Sequence, residues 1–227
     1  VTAKAGDFTA TCEVEVVAEI TEVNTVSELE TALGSVAEGS YIQLNAGTYS
    51  LNSQIRLSGV SDVTLAGEGE VIVTCDEAFT NETGSKSYAS LVTVYGSSDI
   101  TIRNITFSDA KDITLSSGTD YGHGLNIIDS TAVELIDVTS QNNTCGIVIG
   151  HSSVTMQNVS TSGNTWGGVN IDAQSHDDDQ TSLTVDAACS FGEDAQIYAD
   201  GSTDHITVNA EGYTSEVKED QTFWTKG

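Results

Sequence analysis

Positive charge is scarce in this chain: 7 Lys and Arg residues stand against 34 Asp and Glu residues, for a formal net charge of −27 over 227 residues. Such a charge repels nucleic-acid phosphates and anionic membrane surfaces, so partners of these two classes are not expected. No apolar run approaches the ~18 residues of a bilayer-spanning helix. The first ten residues also lack the apolar core of a signal peptide, so we expect any export signal to be removed or to lie upstream.

Cysteine, proline and aromatic residues are also rare. The four cysteines (Cys12, Cys75, Cys145 and Cys189) fit neither a zinc-site spacing nor a dense disulfide framework, so we expect buried thiols or at most two bridges. Proline is absent, and the sequence offers no physical explanation for this. Thr, Ser, Val, Ile, Asn and Gly prevail instead, a composition typical of strands and turns. With 38% hydrophobic residues the chain has enough apolar material for one domain with a core.

One short helix is predicted at about 27–37. Ser27 and Glu30 have the spacing of a capping box and precede an apolar series that includes Leu29 and Leu33. Gly39 follows as a stop signal, and from Tyr41 onward helical periodicity does not return.

A repeat follows the helix and decides the fold. In each copy two apolar residues flank an outward one, and the copies start at Val63, Ile100, Val133, Val154, Leu183 and Ile206. A second apolar pair recurs in the same cycle at Ile55/Leu57, Val92/Val94, Leu125/Ile127, Ile147/Ile149, Val169/Ile171 and Ile197/Ala199. A third, weaker strand follows at Ile105/Phe107, Val138 and Val159. Short strands repeated at such intervals predict an all-β coil of parallel strands whose crossovers are right-handed.

Residues 24–227 resemble the right-handed parallel β-helix proteins of the pectin-lyase-like superfamily. The resemblance rests on the helix, on the Tyr41–Tyr49 and Val63–Gly69 rungs, and on the column Asn104/Asp137/Asn158, which resembles that family's asparagine ladder. It implies a single-stranded solenoid with an N-terminal capping helix. It is poor evidence for one activity, since this fold serves lyases, hydrolases, epimerases and inert adhesins.

The first 20 residues resemble the closing hairpin of a group-2 bacterial immunoglobulin-like repeat, through the segment Ala3–Val16. We therefore expect two parts, an immunoglobulin-like remnant at 1–20 and the β-helix at 21–227. The resemblance implies an exported, bacterial cell-surface protein with further domains.

The rung alignment places polar side chains in one outward column. Its members Arg56, Thr93, Asn126, Asn170 and Tyr198 are candidate ligand-binding residues, with Tyr121 and Trp166 as further aromatic faces. Aromatic faces beside amide and carboxyl groups suit sugars, and the insertions 76–90 and 108–123 could wall a groove above this column. The alternative is that the aromatic side chains seal the bases of the loops.

Asp172 and Asp200 occupy one column on neighbouring rungs, where they could share a cation or act catalytically. Asp177 and Asp179, in the acidic turn 176–179, are further candidate metal ligands. The alternatives are an ordinary turn-starting role for each carboxylate and a solvated loop for the acidic turn. No cofactor is required, and Ca²⁺ is the metal that such oxygen ligands would suit.

His123 is the third catalytic candidate, because Gly122-His123-Gly124 resembles the Gly-His-Gly of polygalacturonases. The accompanying Asp-Asp and Arg-x-Lys motifs are missing, and Gly146 and Gly168 share the column of Gly124, which indicates a structural glycine. We therefore expect a cell-surface module that binds carbohydrate or a host surface without catalysis. The alternatives are a calcium-assisted polysaccharide lyase or glycoside hydrolase acting on acidic polysaccharide, and a purely structural spacer.

Overall fold

Parallel strands stacked in columns make up most of the protein, as a computed structural model shows for residues 2–5, 8–11, 19–80, 89–110, 122–172 and 180–227. At the N-terminus β1 (Thr2–Ala5) and β2 (Phe8–Thr11) form an antiparallel hairpin. From residue 19 onward the chain forms a solenoid, and the predicted all-β, parallel β-helix architecture is confirmed.

The N-terminal cap consists of β3 (Ile20–Val23) and helix α1 (Val26–Gly34). The helix starts one residue earlier than predicted because Thr25 is its N-cap: its Oγ1 accepts from the Glu28 N–H at 3.2 Å. Glu28 in turn accepts from the Asn24 N–H at 2.7 Å, so the capping pair is Thr25/Glu28 and not Ser27/Glu30. The helix ends at Gly34, short of the predicted 37, and buries Leu29 and Ala32 over the core. No helix in the described ranges is long and apolar enough to cross a membrane.

The remaining strands up to Ala210 form three faces. The second face begins with β3, which pairs with β4 (Tyr41–Ser53), and β4 pairs in turn with β6 (Ser61–Thr80). Both β4 and β6 are long strands that continue from the second face into the third. The first face consists of β5 (Ile55–Ser58), β7 (Ser90–Tyr95), β10 (His123–Ile128), β13 (Cys145–Gly150), β16 (Gly167–Asp172) and β19 (Ile197–Asp200). The second face adds β8 (Ser98–Arg103), β11 (Thr131–Ile136), β14 (Ser153–Gln157), β17 (Thr181–Val185) and β20 (Ile206–Ala210). The third face consists of β9 (Thr106–Ser108), β12 (Thr139–Gln141), β15 (Ser160–Ser162) and β18 (Ser190–Phe191).

Strand register follows the aligned repeats on almost every rung. All six predicted apolar pairs of the first face stack in order, and their side chains are at most 4% exposed. On the second face the first five repeat copies also stack as aligned. They form one continuous apolar core with the buried residues of the third face. Burial of this column on every turn is what keeps the rungs in register.

The last rung departs from the predicted alignment by two residues. Leu183 lies opposite Val208 and not opposite Ile206, because β17 begins at Thr181, which pairs with Ile206. A shift of two leaves the same side chains facing the core, since side chains in a strand alternate with a period of two.

An antiparallel hairpin, which the sequence did not predict, closes the C-terminal end of the first face. Strands β21 (Tyr213–Lys218) and β22 (Gln221–Lys226) pair with each other, and β22 pairs antiparallel with β19. Tyr213 and Trp224 pack against the end of the core. The parallel solenoid therefore ends at Ala210, before the predicted end at 227.

Left-handed backbone conformations stack at the corners. Asn104, Asp137 and Asn158, which follow the second-face strands, have φ of 55°, 54° and 52°, and all three are exposed. Asn158 Nδ2 donates to Asp137 Oδ1 at 2.6 Å. We call this column the exposed corner. Asn and Asp tolerate this backbone region better than other residues with a Cβ, which explains their recurrence there.

Candidate functional site

The outward column predicted on the first face exists with its predicted neighbours. Its residues pair in the order Arg56, Thr93, Asn126, Val148, Asn170 and Tyr198. Adjacent members stand about 4.8 Å apart, the distance between hydrogen-bonded strands. The β-helix thus places side chains from distant parts of the chain in one line.

Exposure along this column is uneven. Arg56 is exposed and Asn170 is half-buried, whereas Thr93 is 2% exposed and Asn126 is fully buried. Tyr198 is 7% exposed. The Thr93 hydroxyl lies 2.8 Å from that of Ser90, which also accepts from Gln54 Nε2 at 2.8 Å. The column is therefore accessible at Arg56 and partly at Asn170, and its other members are buried.

Arg56 and Tyr95 form an exposed patch on the first two rungs of the first face. The Arg56 guanidinium carbon lies 5.0 Å from the centroid of the Tyr95 ring, within cation–π range. Tyr95 is 39% exposed. Tyr95 follows the apolar pair of β7, so the strand's own alternation turns its ring outward.

His123 lies at the start of β10, beneath the surface. It is 3% exposed, and burial lowers the pKa of its imidazole to about 4. The neighbouring residue one rung on, Cys145, is fully buried, and burial raises the pKa of its thiol to about 12. Both side chains are neutral near pH 7, so His123 does not match a general base poised near neutrality and Cys145 is not a thiolate.

Trp166 stands beside His123 at the corner that leads into β16. The two ring centroids are 6.0 Å apart with planes at 59°, and Trp166 is 44% exposed. It is one of four large exposed apolar side chains in the part of the chain that the structure describes; the others are Ile20, Tyr95 and Val217. Trp166 therefore presents an aromatic surface to solvent at a fixed point of the first face.

The glycines in one column, Gly124 of the Gly-His-Gly motif with Gly146 and Gly168, have a structural role. A Cβ on Gly124 would lie 2.1 Å from Ser140 Oγ, and one on Gly146 would lie 2.5 Å from the Gly168 carbonyl oxygen. No side chain fits this corner, as the alignment of Gly124, Gly146 and Gly168 indicated.

Asp172 and Asp200 are adjacent, as predicted. They are register partners at the ends of β16 and β19, and both are half-buried. Gln221 of β22 donates a hydrogen bond from its Nε2 to Asp200 Oδ1. The sequence did not predict this contact, because it depends on the antiparallel C-terminal hairpin.

The remaining metal and aromatic candidates, Asp177, Asp179 and Tyr121, lie outside the described residues. Among the residues that are described, no group of three or more His, Cys, Asp or Glu side chains could hold a metal ion. Cys145 and Cys189 are buried free thiols, Cys75 is half-buried, and Cys12 lies outside the described ranges.

Sequence reasoning missed a polar column, which we call the amide corner: it consists of Asn143 and Asn164, which are buried, and Glu193, which is half-buried. The Ala110 N–H donates to Asn143 Oδ1 at 3.0 Å, and the Asn143 N–H donates to Asn164 Oδ1 at 2.9 Å. The Asn164 N–H donates to Glu193 Oε1 at 3.2 Å. Each side chain thus satisfies a corner N–H of the rung before it, which would otherwise be buried without a partner.

The signal for the amide corner was present in the sequence. Asn-Thr-x-Gly occurs at 143–146 and again at 164–167, each time leading into a first-face strand. A serine column at another corner follows the same rule: Ser130 Oγ accepts from the Ser97 N–H at 3.1 Å, and Ser152 Oγ accepts from the Ser130 N–H at 3.0 Å. These columns fix the corners that position His123, Trp166 and Asp172.

No family model matches the chain, and no curated protein matches it. Among solved structures it is similar to pectin methylesterase in complex with hexasaccharide VII, with 12% identity, a TM-score of 0.40, and coverage of 87% of this chain and 80% of that one. The pectin methylesterase D178A mutant in complex with hexasaccharide IV gives 11% identity, a TM-score of 0.38, and coverage of 86% and 80%. Pectate lyase Pel9A gives 11% identity, a TM-score of 0.33, and coverage of 89% and 86%. At these values the similarity says nothing about this chain's activity.

Proposed function

We propose that the protein is a carbohydrate-binding β-helix module without catalytic activity, and that its ligand lies along the first face. The observation that carries this proposal is the pair of exposed aromatic side chains on that rigid face, Tyr95 at 39% and Trp166 at 44% exposure. Aromatic rings provide flat apolar surfaces for sugar rings, and the half-buried Asn170, Asp172 and Asp200 supply hydrogen-bonding groups on the same face.

The state of His123 supports binding over catalysis. Its imidazole is buried, with a pKa of about 4, so it stays neutral and shielded at the pH of most environments. A general acid or base works best with a pKa near the operating pH and with access to the substrate.

The charge of the chain favours neutral over acidic glycans. With a net charge of −27, a uronate polymer would be repelled unless cations bridged the two. We therefore expect neutral oligosaccharides to bind more tightly, and we expect added salt to weaken the discrimination against acidic ones.

The test is binding to a panel of neutral and acidic oligosaccharides, on an array and by calorimetry. Trp166→Ala and Tyr95→Ala should each weaken binding about tenfold, the effect of losing an aromatic contact of ~1.4 kcal/mol. Val217→Ala is the matched control, because Val217 is 70% exposed on the C-terminal hairpin and should leave binding unchanged. A panel without any ligand, or equal effects of all three variants, would contradict the proposal.

A second candidate function rests on the Asp172–Asp200 pair, whose adjacency favours calcium-assisted cleavage of an acidic polysaccharide. In that case the protein turns over uronate polymers only with added Ca²⁺, and Asp172→Asn abolishes turnover. Asp194→Asn, an exposed carboxylate elsewhere, is the control. Turnover that survives in Asp172→Asn, or no turnover with Ca²⁺, excludes this candidate.

We also propose that the module acts at the bacterial cell surface as part of a longer protein. The antiparallel hairpin β1–β2 is compatible with the end of an immunoglobulin-like repeat. Cell fractionation and surface labelling test this location, and a cytoplasmic protein would contradict it.

A further inference from the structure

In the part of the chain that the structure describes, the second face ends in a strand edge without a partner strand. Strand β20 pairs with β17 on one side, and within the described chain no strand pairs with its other side. The antiparallel hairpin adds a strand to the first face, because β22 pairs with β19, and no described strand is added to β20 in this way. The two faces therefore end differently: one is capped and the other is open.

The hydrogen-bond register between β17 and β20 shows which backbone groups of β20 lie on the side away from β17. Thr181 N–H donates to the His205 carbonyl, and Glu211 N–H donates to the Val185 carbonyl. In a strand, successive residues direct their N–H and C=O groups to opposite sides. The peptide groups of Val208 and Ala210 therefore point away from β17, and an added strand would meet a regular set of donors and acceptors there.

The inward side chains of β20 are also incompletely covered. Ile206, Val208 and Ala210 pack against the core but remain half-buried. Their register partners on β17, Thr181, Leu183 and Val185, are at most 2% exposed because a further rung covers them. One more strand with apolar side chains at alternate positions would complete the burial of this rung.

Strand β20 lacks the features that protect exposed edges. Its sequence Ile206–Ala210 contains no charged residue and no proline, and its pairing with β17 has no bulge. The other C-terminal edge strand, β21, differs: Glu216 and Lys218 lie along it and form an ion pair at 2.9 Å. An unprotected edge beside a protected one favours a binding role for β20.

We infer that β20 binds an extended cationic peptide segment of a partner protein by strand addition, with apolar and basic residues in alternation. Alternation follows from the strand geometry, since every second side chain of the added strand would cover the half-buried rung. Basic character follows from charge: Asp204, Glu211, Glu219 and Asp220 are exposed around this end, and the chain as a whole carries −27. A second copy of this chain would bring the same negative charge and is disfavoured.

The test uses a labelled, end-capped peptide of alternating Lys and Val, seven residues long, and fluorescence anisotropy with the full chain. Binding should weaken more than tenfold when Glu replaces Lys, when the same residues are arranged as separate Lys and Val blocks, or when salt is raised. The sedimentation behaviour of the protein alone is measured in parallel. Peptide-independent assembly of the chain into stacks would overturn the inference in favour of a second copy as occupant.

Methylation of peptide nitrogens tests strand addition without changing the protein. In a parallel arrangement the Lys N–H groups would bond to β20 and the Val N–H groups would point away. N-methylation at Lys should therefore abolish binding, while N-methylation at Val should change it less than threefold. The reverse result indicates antiparallel addition and also supports the inference, whereas equal binding of both methylated peptides would overturn it.

On the protein side, Val208→Pro removes an edge N–H that β17 does not use, and it should abolish binding. Val208→Ala is the matched control, which keeps the N–H and should retain binding within a few-fold. Circular dichroism checks that both variants fold. If Val208→Pro does not fold, amide exchange of the native chain decides: the peptide should slow exchange at Val208 and Ala210 at least tenfold, and unchanged exchange there would overturn the inference.

Discussion

The amide corner and the exposed corner both carry one amide or carboxylate side chain per rung, but these side chains have different structural roles. At the amide corner Asn143 and Asn164 are 0% and 7% exposed, and they accept from backbone N–H groups of the preceding rung. At the exposed corner Asn104 and Asn158 are solvated, and what recurs is the left-handed backbone, with φ of 55° and 52°. The same residue type is thus selected for hydrogen bonding in one place and for conformation in the other.

The largest effect is expected in the glycine column next to the amide corner, where an added side chain would collide with backbone atoms. In Gly146→Ala the new Cβ would lie 2.5 Å from the Gly168 carbonyl oxygen and 2.9 Å from Asn164 Nδ2, so the corner must open. We expect the free energy of unfolding to fall by about 3 kcal/mol or more, as measured by denaturant titration. Gly34→Ala, at a helix end with nothing within 4 Å of the added Cβ, is the control and should not destabilise. Equal stability of the two variants would contradict this account.

Asn164→Ala tests the amide corner itself. Its side chain donates to Glu193 Oε1 at 2.6 Å and to the Ser140 carbonyl at 3.0 Å, and it accepts from the Asn143 N–H. Removal would leave the buried Asn143 N–H without this acceptor and would remove two further hydrogen bonds, so the free energy of unfolding should fall by roughly 3 kcal/mol. The counterpart Asn158→Ala at the exposed corner should cost only about 1 kcal/mol, for placing alanine in the left-handed region. A larger loss for Asn158→Ala would reverse the comparison.

The buried His123 should make the free energy of unfolding depend on pH. Because burial lowers its pKa from 6.5 to about 4, the folded state excludes a proton that the unfolded state binds below pH 6.5. Its contribution to stability is therefore full above pH 6.5 and is lost as the pH falls towards 4. Between pH 7 and pH 5 this loss should reach roughly 2 kcal/mol. His123→Asn should remove this part of the pH dependence, so parallel stability curves for the two proteins would contradict it.

The smallest effect is expected for Asn158→Gly. Glycine adopts the left-handed conformation freely but loses the hydrogen bond to Asp137, which is exposed and therefore weak. These contributions oppose each other, and the stability should stay within about 0.5 kcal/mol of the native chain. A clear loss in thermal unfolding would show that this side chain holds the corner by more than its backbone preference.

The sequence predicted the fold well because, in a parallel solenoid, the repeating apolar pattern indicates which residues of successive rungs stack. Val63, Ile100 and Val133 could be aligned, and they stack. The last rung was misaligned because Thr181, which is polar, takes the core position opposite Ile206. The C-terminal hairpin had no such repeat to reveal it, and pairing in either direction satisfies the same alternation of side chains.

For the candidate site, the sequence predicted neighbours better than exposure. The adjacency of Asp172 and Asp200 followed from the rung alignment, as did the order of the column from Arg56 to Tyr198. The burial of Thr93 and Asn126 did not follow, because it depends on what lies above the sheet and not on the strand's own pattern. The amide corner was missed because its residues lie in the turns between strands, outside the aligned strand repeats.

Stacked corner columns also make the length of this protein adjustable in whole turns. Asn143 and Asn164 are one turn apart, as are Val133 and Val154, and each such pair is separated by 21 residues. Excising or duplicating one complete turn would return every remaining side chain to an equivalent neighbour, except at the single junction. Chains of this kind can therefore lengthen by duplication of a turn, or shorten by its deletion, in steps of about 4.8 Å and with the same kind of core.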